Sequence, residues 1–116
     1  MTFELPWPPT VNTYWRNVNG RTILSRKGRE YRANALASII EQVGHASFAI
    51  NRVRVVMTAH PPDRRRRDLD NLPKAVLDAL AYATVYDDDS QIDDLRIVRG
   101  PIDRTNPRLV VTVEPI

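Results

Sequence analysis

Residues 61–94, PPDRRRRDLDNLPKAVLDALAYATVYDDDSQIDD, constrain this chain more than any other stretch. Pro61 and Pro62 stop any strand that precedes them, because proline cannot donate to a sheet ladder. Four consecutive arginines, Arg64 to Arg67, then run into Asp68 and Asp70. Pro73 falls in the first turn of a helix pattern, where a missing N–H costs little. A second acidic cluster, Asp87, Asp88 and Asp89, follows that helix. Nine of the chain's fourteen acidic residues lie in these thirty-four positions. Cations and carboxylates side by side point to a site where metal ions meet a polyanion.

A chain of 116 residues holds one domain, residues 1–116, with room for a real core. Its 42% apolar content is that of an ordinary globular protein. With no cysteine it has neither disulfides nor thiolate metal sites, which fits a reducing cytosol. No apolar run approaches the roughly 18 residues of a membrane span, and the opening MTFELPWPP has no basic leader region. The expectation is a soluble cytoplasmic protein without a membrane partner.

The net charge of +3 understates the basic character. Fifteen of seventeen cations are arginine, and the only lysines are Lys27 and Lys74. Arginine's planar fork takes phosphate bidentately, where lysine offers a point charge. Metal held by the acidic clusters would leave the remaining surface strongly basic, which favours a nucleic-acid partner. A charged, solvated surface is the plain alternative.

Residues 2–5 read as a strand ended by prolines. Asn19-Gly20 is a turn signal, so residues 14–17 and 21–24 form a hairpin. Tyr14, Trp15 and Arg16 either stack on bases and pair a phosphate or, for the rings, belong to the core. Ser25 caps a first helix whose Tyr31, Ala35, Leu36, Ile39, Ile40 and Val43 recur at helical spacing up to Gly44. Its first turn carries Lys27 within a basic run, set either near DNA or on a solvated face. Residues 50–60 alternate as a strand with Val53, Val55, Met57 and Ala59 on one face. Asp70 or Asn71 caps a second helix, with Leu72, Val76, Leu77, Leu80 and Ala83 as its buried stripe. Residues 95–98 and 108–114 complete the strands. The fold class is α+β: a single-domain, two-layer sandwich with a mixed sheet and two main helices.

In an extended segment, residues i and i+2 face one side, so Asp68 and Asp70 would present two carboxylates together. Carboxylate oxygens suit Mg²⁺, which shares its remaining positions with substrate phosphates. Asp70 serves equally well as a helix cap. The second cluster, one helix later, would bring three to four carboxylates together beside Arg64 to Arg67. Carboxylates, a divalent metal and phosphate-binding cations are the parts for phosphodiester hydrolysis. Lys74 suits charge neutralisation at the phosphate or protonation of the leaving group. His45 and His60 read as structural, and no P-loop, GxGxxG or zinc pattern is present.

RRRRDLDNLPKAVLDAL at 64–80 and VYDDDSQIDD at 85–94 closely resemble the RusA family of Holliday-junction resolvases. LPWPPTVNTYWR at 5–16 and GRTILS at 20–25 resemble the family's opening. The resemblance implies a homodimeric, Mg²⁺-dependent endonuclease, with Mn²⁺ as a substitute metal, that nicks four-way DNA junctions symmetrically in recombination and repair. It places the catalytic aspartates on Asp68, Asp70 and Asp89 and the essential lysine on Lys74. Asn71 completes the DLDN core, and Asp88 stands as a further metal ligand beside Asp89. The candidate DNA contacts are Arg64, Arg65, Arg66, Arg67, Asn71, Lys74, Tyr14, Arg16 and Lys27. A nucleoid-associated protein of chromosomal, phage or prophage origin is implied. The added acidity around Asp87 to Asp89 leaves the register of the third ligand open. Two other readings remain: a junction-binding module without catalysis, and a general Mg²⁺ nuclease with no junction preference.

Overall fold

The computed structural model describes all 116 residues. Strand β1 spans Thr2–Pro6, and a four-residue helix α1, Val11–Tyr14, leads into the hairpin of β2, Trp15–Val18, and β3, Arg21–Leu24. Helix α2, Arg26–Val43, precedes β4, Val53–His60. Helix α3, Pro73–Tyr82, then leads to β5, Ile92–Arg99, and β6, Arg108–Pro115. The main sheet has the order β1-β6-β4-β5. Its β1–β6 and β6–β4 pairs are antiparallel, and β4–β5 is parallel. A parallel pair needs a crossover, and α3 supplies it. The mixed α+β sheet and the two main helices match the sequence reading.

The hairpin forms where Asn19-Gly20 predicts it, with both residues at positive φ, 52° and 75°. That is the backbone twist that two-residue hairpin turns require. Ser25 caps α2 through its hydroxyl, which accepts from Gly28 N–H at 3.0 Å. Gly28 is fixed by close approach: a Cβ there would lie 2.5 Å from the Tyr14 carbonyl oxygen. The core joins Val53, Val55, Met57, Leu109, Val111, Phe3 and Leu5 of the sheet to Tyr31, Ala35, Ile39, Val76 and Leu80 of the helices. Each such aliphatic side chain contributes about 1.5–3 kcal/mol by leaving water.

Four expectations are corrected. Strand β4 begins at Val53 because Phe48 to Asn51 form a turn, with Ala49 at φ 50°. Strand β5 extends from both ends of the expected 95–98, since pairing with β4 organises residues that carry no alternation of their own. Neither Asp70 nor Asn71 caps α3: both lie in a 3₁₀ turn, Leu69–Asn71, and Leu72 stands at the cap with no side-chain bond. Helix α1 was not expected, and it has a consequence for Tyr14. Strand β2 begins one residue later, so the Tyr14 ring enters the core and is fully buried.

The Tyr14 hydroxyl donates to the Asp78 carboxylate of α3. Arg32 of α2 grips the same carboxylate through Nε at 2.8 Å and Nη2 at 3.1 Å. Burial alone would raise the Asp78 pKa, but the bonds from Arg32 and Tyr14 outweigh it and hold the group ionised. This network ties the end of α1, from which the hairpin starts, to both long helices.

Candidate active site

The loop at 61–72 leaves the carboxyl end of β4, where open sheets with helical crossovers place their ligand crevices. Its shape is set by Asp63. The Asp63 Oδ1 accepts from Arg65 N–H at 2.9 Å and from Arg67 Nη1 at 2.7 Å. Those bonds, from Arg67 first and then the Arg65 backbone, draw the Asp63 pKa down to about 2. The Arg67 carbonyl accepts from Arg99 Nη2 at 2.9 Å, and its guanidinium lies 5.7 Å from the Trp7 ring centroid. The 3₁₀ turn follows, and buried Leu72 anchors its far end.

Three hollows divide the candidate residues. A cavity of about 330 Å³ lies between Trp7 and Thr10 on one wall and Arg66, Arg67, Asp68 and Asn71 on the other. A wider one of about 560 Å³ has Asn12, Trp15, Arg16, Thr22 and Lys74 on its walls. Arg64 and Arg65 face a third, of about 210 Å³, together with Arg99. Lys27 is exposed on the first turn of α2 and lines none of these hollows. Tyr14 is corrected as a DNA contact: a ring buried on all sides cannot stack on a base.

The charges fall into two groups. Asp63, Asp78, Asp93, Asp94 and Asp103 are each bound to arginine. Asp94, between Arg96 and Arg54, is drawn down to about 2. Asp88 caps a second 3₁₀ turn, Asp89–Gln91, by accepting from Ser90 N–H at 3.1 Å, and the Ser90 hydroxyl and then that N–H lower its pKa. Asp68, Asp70 and Asp89 are exposed, and no protein group bonds their carboxylates. Arg64, Arg65, Arg66 and Lys74 form no ion pair. The fold thus leaves carboxylates and cations unpaired within a few residues of each other, although arginine partners abound.

Two expectations about the carboxylates are corrected. Asp68 is extended but Asp70 lies in the 3₁₀ turn, so they do not share the face of a strand. Nor do three carboxylates gather at metal-holding distance within one chain. Helix α3 has ten residues and is about 15 Å long. It carries the chain to the opposite end of β5, itself about 26 Å for its eight residues. Asp89 precedes the start of β5, whereas the Arg67 carbonyl is bonded at its end, to Arg99. The charged loop and the acidic turn therefore sit at opposite ends of β5, the edge strand of the sheet.

Four residues that matter here were not placed by sequence reasoning in these roles: Trp7, Trp15, Arg99 and Gln91. Trp7 carried a local signal as a lone ring held between prolines, and Trp15 carried one within the Tyr14-Trp15-Arg16 triplet, though as a base platform or core ring. Arg99 is reached through the β4–β5 register, and Gln91 through burial, neither of which shows in a residue pattern.

A family model for endodeoxyribonuclease RusA matches residues 6–114. The crossover junction endodeoxyribonuclease rusA of Enterobacteria phage HK97 is 45% identical over 98 residues, which make up 84% of this chain and 81% of that protein. The corresponding protein of Escherichia coli strain K12 is 43% identical over 112 residues, 97% of this chain and 92% of that protein. That of Enterobacteria phage 82 is 43% identical over 109 residues, 94% of this chain and 89% of that protein. With the loop, the 3₁₀ turn and the unpaired aspartates all inside the matched region, the chain belongs to the RusA family of endodeoxyribonucleases.

Proposed function

We propose that this protein is a Mg²⁺-dependent, structure-specific endodeoxyribonuclease that resolves four-way DNA junctions by paired nicks. The observation that carries this reading is the unpaired state of Asp68, Asp70 and Lys74 beside Arg64 to Arg66. Free, exposed carboxylate oxygens are the donor set that a hard cation prefers, so Asp68 and Asp70 fit Mg²⁺, and Mn²⁺ in its place. A metal held there supplies Lewis-acid polarisation of a phosphate oxygen. Lys74 donates to the scissile phosphate or its leaving oxygen. Arg64, Arg65 and Arg66 bind neighbouring phosphates, with Asn71 and Arg16 on the flanks. Arg67 contributes a remaining guanidinium edge, since Asp63 and Trp7 already hold the rest.

Asp89 is the third carboxylate in this reading, and Asp88 serves as the cap that shapes its turn. Because α3 carries Asp89 to the opposite end of β5 from the charged loop, a second copy of the chain brings it to Asp68 and Asp70. A two-fold dimer also gives two equivalent sites, which suits two symmetric nicks in a junction that is itself nearly two-fold. The two phage relatives support a phage or prophage origin. No helix of the chain is long and apolar enough to cross a membrane.

Strand-by-strand cleavage of a labelled four-way junction in Mg²⁺, beside a linear duplex of the same sequence, tests this. Symmetric nicks in the junction alone, lost in Asp70→Asn with binding retained, are expected. Equal cutting of both substrates would make the protein a general nuclease. Full activity of Asp70→Asn would remove the mechanism.

A further inference from the structure

We infer that Trp15 is a positioning residue for Lys74, holding its ammonium in place before DNA arrives. The inference rests on the role given to Lys74 above. The Lys74 Nζ lies 5.4 Å from the centroid of the Trp15 ring, within the reach of a cation–π contact. No carboxylate is paired with it. Its position in the first turn of α3 sets it against the positive end of that helix, which would favour swinging it away. A flexible four-carbon stem has large rotamer freedom to lose at the moment of reaction. The indole removes much of that freedom beforehand without occupying the ammonium with a carboxylate, so N–H groups remain for a phosphate.

Trp15 is itself held in place. Its ring meets the Tyr14 ring edge-on, with centroids 4.2 Å apart. Tyr14 is buried and bonded to Asp78. Lys74 and Asp78 are four residues apart on α3, so they stack on one face. Consecutive aromatic residues thus grip successive turns of the helix, Tyr14 through a hydrogen bond and Trp15 through its π face. The open side of Lys74 gives onto the hollow of about 560 Å³ that Arg16 also lines.

The chain has only two lysines, so ¹³Cε-lysine labelling yields two resonances. The Lys74 ε-methylene is expected upfield of Lys27, because protons above an indole face are shielded, and Trp15→Leu should bring the two together. Junction binding in Ca²⁺ should be unchanged, while the saturated single-turnover cleavage rate falls about fivefold, as expected for a half-exposed cation–π contact. Trp15→Tyr, which keeps a ring face, should recover the rate to within about twofold. Coincident lysine resonances in the unmodified protein would overturn the inference. So would weaker junction binding at an unchanged saturated rate, which would make Trp15 a base platform. Equal losses of rate and thermal stability in Trp15→Leu and Trp15→Tyr would reduce it to a structural residue. A Lys74→Ala protein that cleaves at full rate would overturn the role of Lys74 itself, and the shielded resonance in the unmodified protein would tell that failure apart.

Discussion

The side-chain oxygen of Gln91 accepts from the backbone N–H of Asp88 at 2.8 Å. The same oxygen takes the Asp87 N–H at 2.8 Å, and Nε2 donates to the carbonyls of Ala49 and Asn51 at 2.7 and 2.8 Å. One buried amide therefore ties the acidic turn to the loop ahead of β4. Gln91→Leu removes all four bonds from this half-buried junction, where the Asp87 N–H and the Ala49 carbonyl still bond each other at 3.2 Å. Urea unfolding is expected to show a loss of about 1–3 kcal/mol. Junction cleavage should fall as well, because Asp89 loses the turn that places it; a variant with unchanged stability and rate would mean that water replaces the amide.

The Asp63–Arg67 pair makes the charged loop sensitive to acid. The Asp63 carboxyl titrates at about 2 rather than the ordinary 3.8, drawn down by Arg67 and the Arg65 N–H. The folded value lies below the unfolded one, so the pair stabilises the loop above about pH 4 and loses its effect as pH falls through about 2. Carboxyl ¹³C titration should place the Asp63 midpoint near 2, and Arg67→Ala should move it up towards 3.8. A midpoint already at the ordinary value in the unmodified protein would mean that the pair does not hold in solution.

Arg64 and Arg65 share a hollow with Arg99 and have no acidic partner. Replacing both with alanine should lower the salt dependence of junction binding by about one log–log unit for each phosphate that the protein no longer neutralises. Anisotropy titrations in Ca²⁺ at several KCl concentrations would measure it. Arg67→Ala should behave differently, since it also releases Asp63 and the loop geometry. A slope unaffected by the double replacement would turn this face of the loop away from DNA.

Mixed dimers test whether Asp89 acts across the two-fold. Asp70→Asn and Asp89→Asn chains should each be inactive alone. Co-refolded together, they should regain nicking of one strand, because one of the two composite sites then holds only unmodified residues. Continued inactivity of a verified mixed dimer would place Asp89 with Asp68 and Asp70 of its own chain, or outside the site.

Local chemistry was enough to read the α2 boundaries from Ser25 and Gly44, the hairpin from Asn19-Gly20, and the buried face of β4 from its alternation. Short-range rules govern each of these, and no distant residue overrides them. The run of arginines and aspartates was legible for the same reason, since residue type and spacing alone carry its chemistry. Partner choice was not legible. Ten aspartates and fifteen arginines offer many pairings, and only the packed chain leaves Asp68, Asp70 and Asp89 free while binding Asp63, Asp78 and Asp94 to arginine. The burial of Tyr14 turned on the short helix α1, which ends at Tyr14 and takes it out of β2, so strand alternation does not set the side of its ring. The separation of Asp89 from Asp68 followed from the direction of α3 across the sheet, a property of the crossover that no local pattern encodes. The sequence by itself thus determined which groups are available for chemistry; the tertiary structure decided which are unpaired and how far apart they stand, because ion pairs and distances form only between residues that folding brings together.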